Sequence, residues 1–343
     1  MDDYVNHPLS VSALLAQAGK ARGGVCHTAR VKAYPDGSLE VLACDQAIFH
    51  PDGWVTSGYK KRPARVRKDP QKPTNQDRDN RERSMRRARA QVRDLALSNP
   101  FRWFVTLTLD QAKVSRYDMA EITRKLNAWL DNQVRRRGLA YVLVPERHKD
   151  GAIHFHGFFN DALEAVDSGH KDSQGHPVYN LPGWRLGFTT AIQLYGDYHA
   201  AVSYVCKYIG KQGEKPGGRW YYSGGCLQRP DVSFSDVGPR DLEAVAGEGG
   251  VYRFDVPEAG LSFAILRARP APLPGGKLGA VVETSNDCSI SGRVETPSNF
   301  GGNFGILHFQ DCQASPGPLR PKASGDLTPE SDSTLHMLRE ETL

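Results

Sequence analysis

The sequence has few cysteines, no long apolar run and no common nucleotide-binding loop. Its six cysteines are scattered over 343 residues without a CxxC pair, which favours reduced thiols and a cytoplasmic protein over a disulfide framework. No apolar run approaches the roughly 18–20 residues of a membrane helix, and the polar N-terminus MDDYVNHPLS does not resemble a secretory signal. The sequence also has no GxxxxGK(S/T) phosphate loop, so it does not predict an ATPase of that class.

Positive charge is concentrated in one segment. The whole chain has a net charge of +5, but residues 60–93 contain 14 Lys and Arg against four acids, or +10, which leaves 5 − 10 = −5 for the rest. A basic segment on an otherwise mildly acidic chain is typical of a protein with a polyanionic partner. A solvated basic linker is the alternative interpretation.

The hydrophobic pattern predicts an α+β fold, with a largely antiparallel sheet flanked by helices, a small N-terminal appendage and a loose C-terminal region. Period-2 and β-branched segments predict strands over 101–110, 141–148, 152–159 and 184–194. Period-3.6 segments predict helices over 81–99, 115–138 and 197–211, and residues 160–183 read as a polar loop. Two further hairpins are predicted over 26–44 and 251–269.

This pattern divides the chain into four parts. The expected domains are an N-terminal β-hairpin lobe over 1–60, a basic arm and helix over 61–98, a central domain over 99–230 and a variable C-terminal region over 231–343. The last part is rich in Gly, Pro and Ser, and we expect it to be partly disordered.

Two histidines lie one residue apart in the strand sequence GAIHFHGFFN. Because alternate residues of a strand point to opposite faces, His154 and His156 share a face. A hairpin closed by residues 149–151 pairs positions whose numbers sum to 300, which places Glu146 opposite His154 on that face. Two imidazoles and a carboxylate could bind a divalent ion and leave coordination positions open; Mg²⁺ or Mn²⁺ would suit such a site.

The segment SYVCKYIGK carries a second group of functional side chains. Tyr204 and Tyr208 are four residues apart and so share a helix face, and Lys207 and Lys211 have the same spacing. A phenol with an ordinary pKa of about 10 is a poor nucleophile unless nearby positive charge stabilises the phenolate. Two phenols near one metal site would allow two successive transesterifications.

The segments FVTLTLD, ERHKDGAIHFHGFF and YVCKYIGK, in this order, resemble the three motifs of HUH endonucleases, the initiators of rolling-circle replication. The doubled Tyr-x-x-Lys resembles the two-tyrosine branch in phages with single-stranded DNA, of the filamentous (gene II type) or microvirus-like groups. The resemblance covers residues 80–230 and implies the RRM-like palm of that family.

The resemblance also implies roles for individual residues. His154 and His156 would bind the divalent ion, with Glu146 as third ligand. Tyr204 or Tyr208 would nick one strand of origin DNA, which leaves a 5′-phosphotyrosyl link and a 3′-OH primer, and the displaced strand would be rejoined into a circle. Lys207 and Lys211 would contact phosphate or stabilise the phenolate.

The partners implied by the resemblance are origin DNA and the helicase, DNA polymerase and single-strand binding protein of a bacterial host. Two alternatives remain open from the sequence. One is an HUH transposase or plasmid relaxase with the same chemistry; the other is a non-enzymatic, metal-stabilised DNA-binding protein.

Overall fold

The computed structural model describes most of the chain between residues 26 and 282. The described ranges are 26–50, 75–194, 196–211, 215–246, 250–272 and 278–282. Three segments lie outside these ranges: residues 1–25, most of the expected basic arm, and the expected disordered tail after 282. No helix in these ranges is long and apolar enough to cross a membrane.

The fold is α+β, with two antiparallel sheets and flanking helices, as the sequence predicts. In chain order, the elements are β1 (Ala29–Ala33), β2 (Leu39–Cys44), α1 (Asn75–Leu97), β3 (Trp103–Leu109), α2 (Met119–Arg137), β4 (Tyr141–Arg147), β5 (Ile153–Phe159), β6 (Val166–Lys171), β7 (Pro177–Asn180), β8 (Gly187–Gln193), α3 (Tyr198–Tyr208), β9 (Tyr222–Gly224), β10 (Asp231–Ser235), α4 (Pro239–Ala246), β11 (Val251–Val256), β12 (Leu261–Pro272) and β13 (Leu278–Val282).

The central sheet has the order β6-β7-β8-β3-β5-β4-β9 and has helices on both faces. On one face, the apolar side of α2 packs on β3 and β5, with Leu126 and Phe155 in the same buried cluster. On the other face, α1 and α3 pack over Phe104 and Phe158. Because both faces are covered here, β5 is apolar on nearly every residue, and its two histidines are the polar exceptions.

Local signals explain where α2 begins and ends. The Asp118 carboxylate accepts hydrogen bonds from the backbone N–H groups of Ala120 and Glu121, which caps the helix start. At the other end Gly138 has a φ of 71°, a left-handed conformation that glycine adopts without a steric penalty. The predicted helix over 115–138 is therefore confirmed, with its first turn at Met119.

The second sheet combines strands from both sides of the central domain. Its order is β10-β1-β2-β12-β11, with β13 also paired to β12. The two predicted hairpins over 26–44 and 251–269 are confirmed, but the division of the chain by sequence did not anticipate that they share one sheet. This sheet is joined to α1 by the ion pair between Lys32 Nζ and Asp94 Oδ2, at 2.8 Å.

The expectation of a polar loop over 160–183 is wrong, because part of that segment forms the hairpin β6–β7. Strand β6 is mostly exposed and polar, and β7 has only four residues. Their register also shifts between Asp167 and His170. Both features interrupt the alternation of apolar and polar residues from which a strand is recognised in sequence.

Candidate functional site

The hairpin β4–β5 has the register predicted from the sequence. Glu146 pairs with His154 and Val144 with His156. The turn is closed by hydrogen bonds from His148 N to Ala152 O, at 2.7 Å, and from Gly151 N to His148 O, at 2.9 Å. Residues 149–151 therefore form the expected three-residue loop, and Glu146 lies on the histidine face of the sheet.

Gly157, which sequence reasoning overlooked, allows β4 and β5 to approach this closely. A Cβ at this position would overlap the carbonyl oxygen of Val142 and would lie 2.9 Å from Leu143 Cα. Both are backbone atoms of β4, so no side-chain rotation could make room. The signal in the sequence was the glycine that directly follows the second histidine, because a glycine inside a strand often marks a close approach of another backbone.

Two threonines of β3 orient the imidazoles. Thr106 Oγ1 lies 3.1 Å from His156 Nδ1, and Thr108 Oγ1 lies 3.3 Å from His154 Nδ1. Both pairs stand directly opposite each other in the register of β3 and β5. Because Nδ1 is engaged by a hydroxyl in each case, Nε2 is the nitrogen that remains for other partners.

Glu146 connects the histidine face to Lys211. Its Oε2 lies 2.8 Å from His156 Nε2, and its Oε1 accepts a hydrogen bond of 2.8 Å from Lys211 Nζ. Burial alone would raise the pKa of Glu146, but the hydrogen bonds from His156 and Lys211 outweigh burial and hold the pKa at about 2. Glu146 is therefore a carboxylate at neutral pH.

His154 is a buried, neutral imidazole. Burial lowers its pKa to about 4, and the neighbouring His148 and His156 add to the effect. The His148 and His154 rings stack with their centroids 5.0 Å apart. Nε2 of His154 is buried and has no hydrogen-bond partner within the described residues, and it offers a lone pair to the histidine face when the ring proton is on Nδ1.

Helix α3 brings both tyrosines to the same face. Its start is capped by Asp197 through a hydrogen bond from Ala200 N. The Tyr208 ring stacks on His156 at a centroid distance of 4.3 Å and an angle of 9°. The Tyr208 hydroxyl donates a hydrogen bond of 2.6 Å to the Tyr204 hydroxyl. Burial raises the pKa of Tyr208, and this hydrogen bond raises it further.

The two lysines of the motif have different positions. Gly210 has a φ of 79° and turns the chain after α3, so that Lys211 reaches Glu146 and lies 5.5 Å above the Tyr208 ring. Lys207, like Lys211, is exposed, and its contact with a phosphate stays a prediction. Of the seven residues singled out from the sequence, five are joined by side-chain contacts: Tyr204, Tyr208, His156, Glu146 and Lys211. His154 pairs with Glu146 across the hairpin.

The residues around His154 and His156 fit a divalent cation in their chemistry, although they are not arranged as a finished site. Among the described residues, no group of three or more His, Cys, Asp or Glu side chains is placed to hold a metal ion as it stands. Both oxygens of Glu146 are bonded to His156 and Lys211 instead. The unpartnered Nε2 of His154 and the ionised Glu146 are nevertheless donors that such a cation takes.

A family comparison covers this same part of the chain. Residues 102–213 match the family of replication-associated proteins described as ORF2 or gene II protein, over roughly a third of the chain. The match includes β3, the β4–β5 hairpin and α3, and so every residue of the candidate site. No curated protein and no solved structure matches the chain. The similarity supports a phage rolling-circle replication initiator.

Proposed function

We propose that this protein is an initiator endonuclease of rolling-circle DNA replication. It nicks one strand of duplex phage DNA at the origin by tyrosine transesterification and later rejoins the displaced strand into a circle. The proposal extends the family similarity, which concerns replication in general, to a specific reaction and to specific residues.

The contact between α3 and the histidine face is the observation that carries the proposal. The Tyr208 ring lies against His156 at 4.3 Å, and its hydroxyl touches that of Tyr204. Two candidate nucleophiles therefore lie beside two imidazoles and a carboxylate. An ordinary buried pair of tyrosines could pack on apolar residues and would not need to meet this polar group.

The chain's own residues would hold and orient the cation that the chemistry needs. His154, His156 and Glu146 would bind Mg²⁺ or Mn²⁺, which would supply positive charge to a phosphodiester. Thr106 and Thr108 would keep both Nε2 atoms directed away from β3. Lys211 would then exchange its bond to Glu146 for a phosphate oxygen or a phenolate.

The proposed nicking step forms one P–O bond for the one that it breaks. The hydroxyl oxygen of Tyr204 or Tyr208 loses its proton and attacks the phosphorus, and the bond from phosphorus to the 3′ oxygen breaks. The products are a 5′-phosphotyrosyl link and a 3′ oxygen that takes up a proton. A host polymerase would extend this 3′-OH. We place Tyr204 first, because one-tyrosine initiators generally use the matching position.

The second tyrosine would serve the second cut. Once the origin is regenerated, the unused phenol attacks it in the same way, and the new 3′-OH attacks the first phosphotyrosyl link. That attack frees the first tyrosine and closes the displaced strand. The 2.6 Å contact between the two hydroxyls supports this exchange, since both phenols can reach one phosphate-sized volume.

The test is covalent capture of the protein on DNA. The protein is incubated with supercoiled phage-type DNA and Mg²⁺ or Mn²⁺, and protein that stays on the 5′ end after denaturation is measured. We expect adduct with the wild-type protein and none with His154→Ala or with Tyr204→Phe combined with Tyr208→Phe. Tyr221→Phe is the matched control, because Tyr221 bonds to Gln91 on α1 and lies outside the site.

Other outcomes would favour the alternative functions. A DNA-binding protein without catalysis predicts that the double tyrosine variant keeps its full activity in the cell. A transposase predicts excised element ends, and a relaxase predicts conjugative transfer, where an initiator yields circular single strands.

A further inference from the structure

An exposed aromatic residue lies in the same row of the central sheet as the candidate site. Phe188 on β8 pairs with Thr108 on β3, Thr108 pairs with His154, and His154 pairs with Glu146. Directly paired residues of antiparallel strands point to the same face, so Phe188 projects from the histidine face. Its exposed fraction is 54%, whereas Ile192, which pairs with Phe104 on the same face, is buried.

Open surface continues along this face beyond Phe188. Thr190 is half-buried and pairs with Thr106. Val166 of β6 also lies on the histidine face, because β3 pairs with β8, β8 with β7, and β7 with β6 in a register that keeps Val166 on that side. Val166 is 45% exposed. We call Phe188, Thr190 and Val166 the open strip. Helices α1 and α3 cover the end of the sheet at Phe104 and Phe158, and the open strip lies outside that cover.

Gly187 fixes the position of Phe188 relative to the histidines. A Cβ on Gly187 would overlap the carbonyl oxygen of Thr108 and would lie 2.7 Å from Asp110 N. The glycine therefore lets the first residues of β8 lie close against β3. As a result, Phe188 is separated from His154 by one intervening strand, about two strand spacings or roughly 10 Å.

The chemistry of the open strip suits an unpaired DNA strand. An exposed phenyl ring offers a flat apolar surface on which any base can stack, and hydroxyls beside it can bond to phosphate or sugar. No residue that β3, β5 or β8 places on this face is acidic. A positive group, Arg116, lies beside β5, since its carbonyl accepts a hydrogen bond of 3.0 Å from Ile153 N and its guanidinium pairs with Asp150.

We propose that the DNA strand that enters the candidate site crosses β3 onto the open strip, where one base next to the cleaved phosphate stacks on Phe188. This inference rests on the proposed function and adds the path of the substrate strand and a residue that positions it. It also predicts a preference for single-stranded over duplex DNA at this surface, because a paired base cannot present its face to the ring.

The experiment measures binding separately from cleavage. Tyr204→Phe combined with Tyr208→Phe serves as the background, so that no DNA is cut, and the probe is a fluorescent single-stranded oligonucleotide or its duplex. We expect Phe188→Ala and Phe188→Leu to weaken single-strand binding about tenfold, the order expected for one stacked base, and Phe188→Trp to keep it. Val232→Ala is the control, since Val232 is 51% exposed on the second sheet.

The outcomes separate this inference from the proposed function. If single-strand affinity is the same for Phe188→Ala as for the control, while the wild-type chain forms the covalent adduct, the path is wrong and the function stands. If affinity falls with Phe188→Ala but no adduct ever forms, the binding surface stands and the nicking function fails. A lowered unfolding temperature for Phe188→Ala without a loss of affinity would show that Phe188 packs against other parts of the protein, and would overturn the inference.

Discussion

Replacement of Gly157 by alanine should destabilise the protein and separate the two strands that form the site. The added methyl would overlap Val142 O and approach Leu143 Cα to 2.9 Å, where ordinary contact begins near 3.4 Å, so β4 must move by at least 3.4 − 2.9 = 0.5 Å. Overpacking of this kind costs about 1–3 kcal/mol, and each ladder hydrogen bond that is lost adds about 1 kcal/mol. We therefore expect a decrease of roughly 2–4 kcal/mol in the free energy of unfolding.

Urea denaturation followed by tryptophan fluorescence would measure this decrease. Gly183→Ala is the matched control, because a Cβ there meets no atom within 4 Å and the substitution should be neutral or slightly stabilising. The contact between Glu146 and His156 joins the strands that must separate, so adduct formation should also fall at temperatures where Gly157→Ala is still folded. Equal urea midpoints for both variants would refute the reasoning.

Three further predictions concern the surroundings of the site. Burial raises the pKa of Glu40, but Lys32 and Arg267 hold the pKa at about 2. The ionised Glu40 therefore contributes up to about 3 kcal/mol to the free energy of unfolding above pH 4.5, and this contribution is lost as the pH falls through 2. The difference in free energy of unfolding between wild type and Glu40→Gln, measured by urea denaturation, should narrow over that range. Asp118→Ala should lower the free energy of unfolding by about 1 kcal/mol through loss of the α2 cap, seen as a lower urea midpoint. Gly210→Ala should lower the free energy of unfolding by about 1–2 kcal/mol because of the φ of 79° at this position. Loss of adduct under conditions where this variant is still folded would show that Lys211 has moved from Glu146.

Several positions around the candidate site could be predicted from the sequence because each depended on local geometry. The alternation of a strand placed His154 and His156 on one face, and the length of the loop after His148 fixed the register of Glu146. The spacing of Tyr204 and Tyr208 placed both on one helix face. None of these inferences required knowledge of which distant segments would meet.

The remaining features depend on contacts between residues far apart in the chain. The pairing of β2 with β12 joins positions more than two hundred residues apart, and no period in either segment encodes it. Thr106 and Thr108 look like ordinary strand residues until the register of β3 against β5 is known. The end of α3 is also held by a distant group, since the Arg89 guanidinium donates to Ile209 O at 2.9 Å.

The hairpin β1–β2 lies in the interior of the second sheet, between β10 and β12. A chain shortened to begin at α1 would leave β10 and β12 as unpaired edges, which are prone to aggregate, and would remove the cation that faces Asp94. The shortest fragment that keeps this sheet paired therefore extends well beyond the candidate site residues, and must include both 26–50 and the strands up to β12.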